Sequence, residues 1–385
     1  MKKNWDNKWY SEAFLQRLKD SARTENDGGL EYTVKCAPDA VSALGIDPRV
    51  LGGPIGKAAK GLRFVPDFVF ERIRPSLNAS GLSALRKSYS RVAYADCHIQ
   101  NVCVKDRAVT VRDGGKIPVR VYEPSGDKTG ICLFYIHGGA FIAGALEPYD
   151  EALKMFASKF GATAISVAYR LLPENAYPTL YHDCFDVLRH VHDHAGEYQI
   201  SKDRIFVCGD SAGGNLAQAC TTEMKDTAVI RGQLLLYPSL NMFRIEDGYF
   251  QKGTDDFRYE PTQRALSKGV VRQMQLLANF DVKKIGIVRP DRLNNPYSFG
   301  VVSRIPTFLS VGALDYLKKD AFAWAHKLKD AGAEVKMVVY NGMGHGYINA
   351  MGVFPQAEDV IDEMGEFVLS VLSRLPAAGA EQEVR

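Results

Sequence analysis

The sequence contains no Cys-x-x-Cys pair, no strong excess of either charge, and no apolar run long enough to cross a bilayer. Each lack narrows the class. The seven cysteines are an odd number, and Cys132, Cys208 and Cys220 sit inside apolar runs. Buried reduced thiols explain that pattern better than a disulfide framework, with a Cys97–Cys103 pair as the weaker alternative. Lys and Arg total 48 against 45 Asp and Glu, a net charge of +3. The pairs Lys283-Lys284 and Lys318-Lys319 lie beside acids instead of forming a basic stripe, so no nucleic-acid partner is expected. The longest apolar stretch, 131–145, includes His137 and is too short to span a membrane. Met1-Lys2-Lys3 leads into no apolar segment, so no secretory signal is expected. These features together lead us to expect a soluble, cytoplasmic protein without stable membrane insertion. Repeats and low-complexity tracts are also missing.

What is present is an ordinary globular balance, 46% hydrophobic and 24% charged over 385 residues. That length suffices for one large core with an appended cap. In residues 1–20, Trp5, Trp9, Phe14, Leu15 and Leu18 trace one face of an amphipathic helix. A polar break at 24–29 follows, then helical segments near 55–63, 66–74 and 79–90. No strand–helix alternation is evident there, and residues 1–96 are expected to form an N-terminal helical cap. From about residue 97 the pattern changes. Strands are expected at 99–104, 117–122, 131–136, 164–168, 205–208, 233–236, 307–311 and 335–340, with a turn at Asp113-Gly114-Gly115. Helices are expected at 149–160, 178–196, 212–225, 319–331 and 356–373. Continuous apolar strands between amphipathic helices imply an α/β fold, a mostly parallel central sheet flanked by helices. Residues 97–240 and 296–376 would form this core. The stretch 241–295 interrupts the alternation, with one helix near 263–278, and is expected to be a second cap segment. Residues 377–385 would be a flexible tail.

The chemistry concentrates at strand ends. Ile205 to Cys208 runs into Gly209-Asp210-Ser211-Ala212-Gly213-Gly214 and then into a helix-forming stretch. Strand, strained turn, helix is the context that exposes a nucleophilic serine, here Ser211, at a helix N-terminus. A serine hydroxyl needs a base. Among eight histidines, His345 stands in Gly344-His345-Gly346 directly after an apolar strand, where active sites of such sheets lie; a plain surface loop is the competing reading. The orienting acid is expected between serine and histidine in chain order. Asp315 ends a strand, whereas Asp320 falls inside the next helix's first turn, so Asp315 is preferred. His137-Gly138-Gly139-Ala140-Phe141 also follows a strand. The backbone N–H groups of Gly138, Gly139 and Ala212 would together form a three-donor oxyanion hole, each donor lowering the barrier by about 2.7–4 kcal/mol. His137 itself suits a structural anchor better than a catalyst.

Taken in order, His-Gly-Gly-Ala-Phe, Tyr169-Arg170-Leu171-Leu172-Pro173-Glu174, Gly-Asp-Ser-Ala-Gly-Gly-Asn, Gly312-Ala313-Leu314-Asp315 and Gly-Met-Gly-His-Gly resemble the hormone-sensitive-lipase-like family of α/β-hydrolase esterases. The resemblance covers about 97–375. It implies the α/β-hydrolase fold, hydrolysis of short- to medium-chain acyl esters through an acyl-enzyme, and no cofactor or metal. It also implies Ser211, Asp315 and His345 as catalytic triad and Gly138, Gly139 and Ala212 as oxyanion donors, with the Tyr-Arg-x-x-Pro-Glu segment bracing the surrounding loops. The family often has glycine where Ala140 stands, and residues 1–96 carry no transferable motif. Other readings are weaker. His190, His192 and His194 on one helix offer only two residues on a shared face, too few for a metal. Trp5 and Trp9 suit packing on the body better than membrane anchoring. An amide or formamide hydrolase would use the same apparatus, although tryptophan would be expected at Phe141 in an aryl formamidase. A ligand-binding receptor on this scaffold would not need the histidine that is present here. The partner is therefore a small-molecule ester; the sequence is compatible with a homodimer and does not set the oligomeric state.

Overall fold

The computed structural model describes residues 11–70, 72–73 and 78–374. Ten strands make one sheet in the order β1-β2-β10-β9-β8-β7-β5-β6-β4-β3. They are β1 (Arg23–Asp27), β2 (Leu30–Cys36), β3 (Val102–Thr110), β4 (Lys116–Pro124), β5 (Cys132–Ile136), β6 (Thr163–Val167), β7 (Ile205–Asp210), β8 (Gly232–Leu236), β9 (Thr307–Gly312) and β10 (Val335–Asn341). From β2 through β6 every neighbouring pair is parallel, while β1, β3 and β4 pair antiparallel at the margins. Every residue of β5, β6, β7, β8 and β9 is buried. That is why these segments are apolar without alternation: helices cover both of their faces.

The helices are α1 (Glu12–Asp20), α2 (Pro48–Gly52), α3 (Pro54–Leu62), α4 (Asp67–Phe70), α5 (Ala79–Tyr89), α6 (Asp150–Phe160), α7 (Thr179–Asp193), α8 (Ala212–Glu223), α9 (Arg264–Ala278), α10 (Lys318–Asp330) and α11 (Pro355–Ser373). On one side of the sheet α1 and α6 pack against α11. On the other, α7 packs on α8, and Trp324 of α10 donates its indole N–H to Gln218 of α8 at 3.0 Å. No described helix is long and apolar enough to cross a membrane. Leu18 is fully buried, whereas Trp5 and Trp9, and the tail at 377–385, lie outside the described residues.

The expectation of an all-helical 1–96 needs correction at 23–36. There the chain forms a hairpin, β1 and β2, whose two connecting residues, Gly28 and Gly29, have φ of +53° and +89°. Two consecutive left-handed residues make the tight turn that matches strand twist. Leu30 and Val34 face the core and β2 pairs with β10, which would otherwise be an exposed edge. The hairpin signal was present in Asp27-Gly28-Gly29 followed by alternating Leu30, Tyr32 and Val34.

The parallel strands deliver a buried polar knot to their C-terminal ends. His137, directly after β5, is 1% exposed and stacks on Tyr169 with ring centroids 4.4 Å apart. Its Nδ1 bonds the Gly138 carbonyl at 2.8 Å, and Tyr169 donates its hydroxyl to the His137 carbonyl at 2.9 Å. Asp210, at the end of β7, accepts from the Tyr135 hydroxyl (2.8 Å), the Tyr149 hydroxyl (3.2 Å) and the Gly138 N–H (2.7 Å). Burial disfavours charge on both side chains, pushing His137 down to about 4 and Asp210 up to about 6. The two therefore act oppositely on stability. As pH falls from 6.5 toward 4 the unfolded chain protonates its histidine while folded His137 stays neutral, and stability is lost. Over pH 6 to 3.8 folded Asp210 takes its proton first, and stability is gained. Replacing His137 by Gln leaves the Asp210 contribution unopposed. Denaturant melts should then show the variant gaining stability relative to the parent as pH falls from 6.5 to 4, by up to about 1.4 kcal/mol per pH unit. A difference that does not change with pH would contradict this assignment.

Candidate active site

Ser211 occupies the turn between β7 and α8, with φ +55° and ψ −118°. A non-glycine residue at positive φ is strained, and such strain persists only where its surroundings leave no alternative. Those surroundings are two backbones in near contact. A Cβ at Gly209 would run into the Gly213 carbonyl, and one at Gly213 into the Ile136 carbonyl of the neighbouring strand. Glycine two residues before and two after the serine is thus a steric requirement of the turn.

Three strand ends bring the expected side chains together. The imidazole of His345, in the loop after β10, lies with Nε2 2.9 Å from Ser211 Oγ and Nδ1 2.6 Å from Asp315 Oδ2. Asp315, past the end of β9, is fully buried, and its second oxygen accepts the Leu317 N–H at 2.9 Å. A carboxylate on Nδ1 puts the ring's proton there and leaves Nε2 free to accept from the serine hydroxyl. Tyr237 packs edge-on against the His345 ring at 4.7 Å. Asp320, the competitor for Asp315, is engaged elsewhere: it accepts the Leu240 and Asn241 N–H groups at 3.0 and 2.9 Å and pairs with Arg244, anchoring the start of the 241–295 segment.

The loop after β5 requires a correction. Gly138 was expected to offer its N–H to an oxyanion, but that N–H is bonded to Asp210 at 2.7 Å, and a Cβ on Gly138 would stand 2.6 Å from the other Asp210 oxygen. The glycine is needed for close approach to that carboxylate. One residue further, the chain enters left-handed conformation at Gly139 (φ +130°), Ala140 (+55°) and Phe141 (+67°). A Cβ at Gly139 would meet the Ala143 carbonyl. The two non-glycine residues cost roughly 1–2 kcal/mol each. Among the described residues the N–H groups of Gly139, Ala140 and Ala212 meet no acceptor, and Ala140 and Ala212 line the same cavity as Ser211. Ala140, which the expected donor set left out, stands where the family often has glycine, and that preference carries its signal: the position requires positive φ.

The cavity beside Ser211 is small, about 40 Å³, and apolar; Met242, Met274, Leu277, Phe280, Ile285 and Leu317 form most of its wall. Met274 and Leu277 belong to α9, which lies so close to α3 that a Cβ on Gly269 would run into the Ala59 carbonyl. Arg272 of α9 donates to the carbonyls of Leu62 and Val65, tying the 241–295 segment to the N-terminal one. Tyr89, half-buried at the end of α5, has its phenol pushed up by burial and by the Asp210 and Asp315 carboxylates. A larger cavity of about 760 Å³ lies between the β1–β2 hairpin and residues 249–258, but its lining includes neither Ser211 nor His345. Size does not select it. The Tyr169–Glu174 segment braces the site, with Arg170 donating to the buried Asp183 at 2.6 Å and to Asp113 at 2.7 Å.

Comparison with known proteins bears on the family and the fold. A family model described as the alpha/beta hydrolase fold matches residues 133–349, more than half of the chain. An ethyl acetate hydrolase of Pseudomonas putida is 29% identical over 267 residues, covering 67% of this chain and 79% of that protein. An arylesterase of Saccharolobus solfataricus is 28% identical over 242 residues, covering 61% and 74%. Among solved structures, an arylesterase superposes with a TM-score of 0.64 at 21% identity, covering 85% of this chain and 99% of its own. An esterase of the archaeon Pyrobaculum calidifontis superposes at 0.62 and 24%, covering 85% and 99%. With its parallel sheet, its serine elbow and a matching family model across its core, the chain belongs to the α/β-hydrolase family, on its hormone-sensitive-lipase-like branch.

Proposed function

We propose that this protein is a serine carboxylesterase acting on small esters with short acyl groups, with Ser211 as nucleophile, His345 as base and Asp315 as its orienting acid. The observation that carries the reading is the pair of bonds on one imidazole, 2.9 Å to Ser211 and 2.6 Å to Asp315. In the reaction, His345 Nε2 takes the hydroxyl proton as Ser211 Oγ bonds to the ester carbonyl carbon. The carbonyl oxygen becomes an oxyanion, held by the N–H groups of Gly139, Ala140 and Ala212 in place of the originally expected Gly138. Collapse expels the alkoxide, which takes the proton from His345. Water then repeats the sequence on the acyl-enzyme, releasing the carboxylic acid and restoring the serine. Asp315 fixes the imidazole tautomer and offsets the charge of the transient imidazolium.

The segment 241–295 and the described N-terminal residues apart from the β1–β2 hairpin serve as the cap: α9 supplies the apolar wall beside the nucleophile, and Arg272 ties it to Leu62 and Val65. The seven unpaired thiols support a reducing, cytoplasmic setting. The small, apolar cavity beside Ser211 favours a short acyl chain.

Replacing Ser211 by Ala should lower turnover of a p-nitrophenyl acetate-type ester by more than about 10⁴-fold while the thermal melt stays cooperative. Retained activity would refute the nucleophile. Across an aryl-ester series, kcat/KM should fall by roughly tenfold for each methylene the pocket cannot seat. Met274→Ala should move that fall to longer chains. An unchanged chain-length profile in the Met274 variant would place the acyl group elsewhere.

A further inference from the structure

The left-handed stretch at Ala140 and Phe141 is unfavourable for L-residues, so something must hold it. Four hydrogen bonds do. Ile142 N–H reaches the Gly139 carbonyl at 3.2 Å, Ala143 N–H reaches the same carbonyl at 2.9 Å, Leu172 N–H reaches the Phe141 carbonyl at 3.0 Å, and Arg86 Nε reaches the Ile142 carbonyl at 2.7 Å. The first three are backbone bonds of the core itself. The fourth comes from α5, in the N-terminal segment, about fifty residues before the family-matched region begins. The same guanidinium donates to the Leu172 carbonyl at 3.1 Å and forks onto Glu174 at 2.9 and 2.6 Å. One planar group thus bridges the loop after β5 and the segment that braces it, in the fixed geometry that arginine provides and lysine does not.

We infer that Arg86 is a positioning residue for catalysis: by locking the Ile142 and Leu172 carbonyls it keeps the strained Ala140 and Phe141 backbone aimed so that the Gly139 and Ala140 N–H groups point at the developing oxyanion. The inference rests on the reading of those two N–H groups as donors. Global stability is not what this contact serves. The Arg86 and Glu174 side chains are 31% and 55% exposed, and an ion pair open to water contributes little to folding. Loss of the clamp acts instead on a loop with two residues in a conformation they disfavour, and a small displacement of an oxyanion donor is costly to the rate.

The test is a double-mutant cycle between Arg86→Ala and Ala140→Gly, measured as kcat and KM on a short-chain p-nitrophenyl ester, with thermal melts alongside. Glycine adopts the left-handed conformation without penalty, so it removes part of what Arg86 is needed to hold. Arg86→Ala should lower kcat by about ten- to a hundredfold with KM changed by no more than about twofold, and with little change in melting temperature. In the Ala140→Gly background the same change should cost kcat no more than about threefold. A residue with a merely structural role would lower the melting temperature and leave the kcat of the folded fraction intact. If Arg86→Ala does not fold, Glu174→Gln weakens the fork while leaving both carbonyl bonds, and the coupling to Ala140→Gly should then be smaller but of the same sign. Parent-level kcat in folded Arg86→Ala, or equal losses in both backgrounds, would overturn the inference. The underlying reading is checked separately, since ester turnover by the parent that disappears in Ser211→Ala stands whatever Arg86 does.

Discussion

At the end of β7 the backbone has to turn from strand to helix within a single residue, and that residue is Ser211, at φ +55°. Strand and helix come so close there that only glycine fits at 209 and 213, and the neighbouring strand closes the remaining space through the Ile136 carbonyl. Much of the site follows from this crowding. It lifts the hydroxyl clear of the sheet, directs the free N–H of Ala212 at the same point, and leaves no second conformation for the serine to relax into. A parallel sheet then places the other ends beside it: β5 delivers the loop at 138–141, β9 delivers Asp315, and β10 delivers His345.

Around that turn the protein maintains several unfavourable arrangements at once. Asp210 is buried beside Ser211, and the carboxylate is tolerated because two tyrosine hydroxyls and the Gly138 N–H converge on it. That convergence spends Gly138, and it fixes the start of the loop so that Gly139 and Ala140 come next to the serine. Ala140 and Phe141 sit in left-handed conformation, and Arg86 reaches in from α5 to secure the carbonyl that follows. The N-terminal segment thus reaches the loop beside Ser211 directly.

Most of the fold was legible because its signals are local. Uninterrupted apolar strands such as Cys132–Ile136 and Ile205–Cys208, separated by amphipathic helices, specify a covered parallel sheet; the expected strands lie within two residues of their place except the first, expected at 99–104 and found at Val102–Thr110. The hairpin at 23–36 was missed because its short first strand, Arg23–Asp27, is almost wholly polar and exposed. Ser211, Asp315 and His345 were legible for a related reason: each stands at the end of a recognisable strand. The donor set was misassigned by one residue. That error is informative, because a row of small residues says only that a backbone is accessible, and not which N–H is already bonded. The partner that occupies Gly138 is Asp210, 72 residues away. Arg86 had no sequence signal at all, since two of its acceptors are main-chain carbonyls that any residue could supply and the third, the Glu174 carboxylate, is 88 residues away.

The central claim is spatial: a serine, an imidazole and three specified N–H groups surround one reacting carbon. A crystal structure of the protein after reaction with an ethylphosphonate p-nitrophenyl ester tests it most directly. The account predicts phosphorus bonded to Ser211 Oγ and the phosphoryl oxygen within hydrogen-bonding distance of the Gly139, Ala140 and Ala212 nitrogens. Gly138 should still be bonded to Asp210, and the ethyl group should lie against Met274 and Leu277. An adduct on another residue, or a phosphoryl oxygen turned away from those nitrogens, would contradict it.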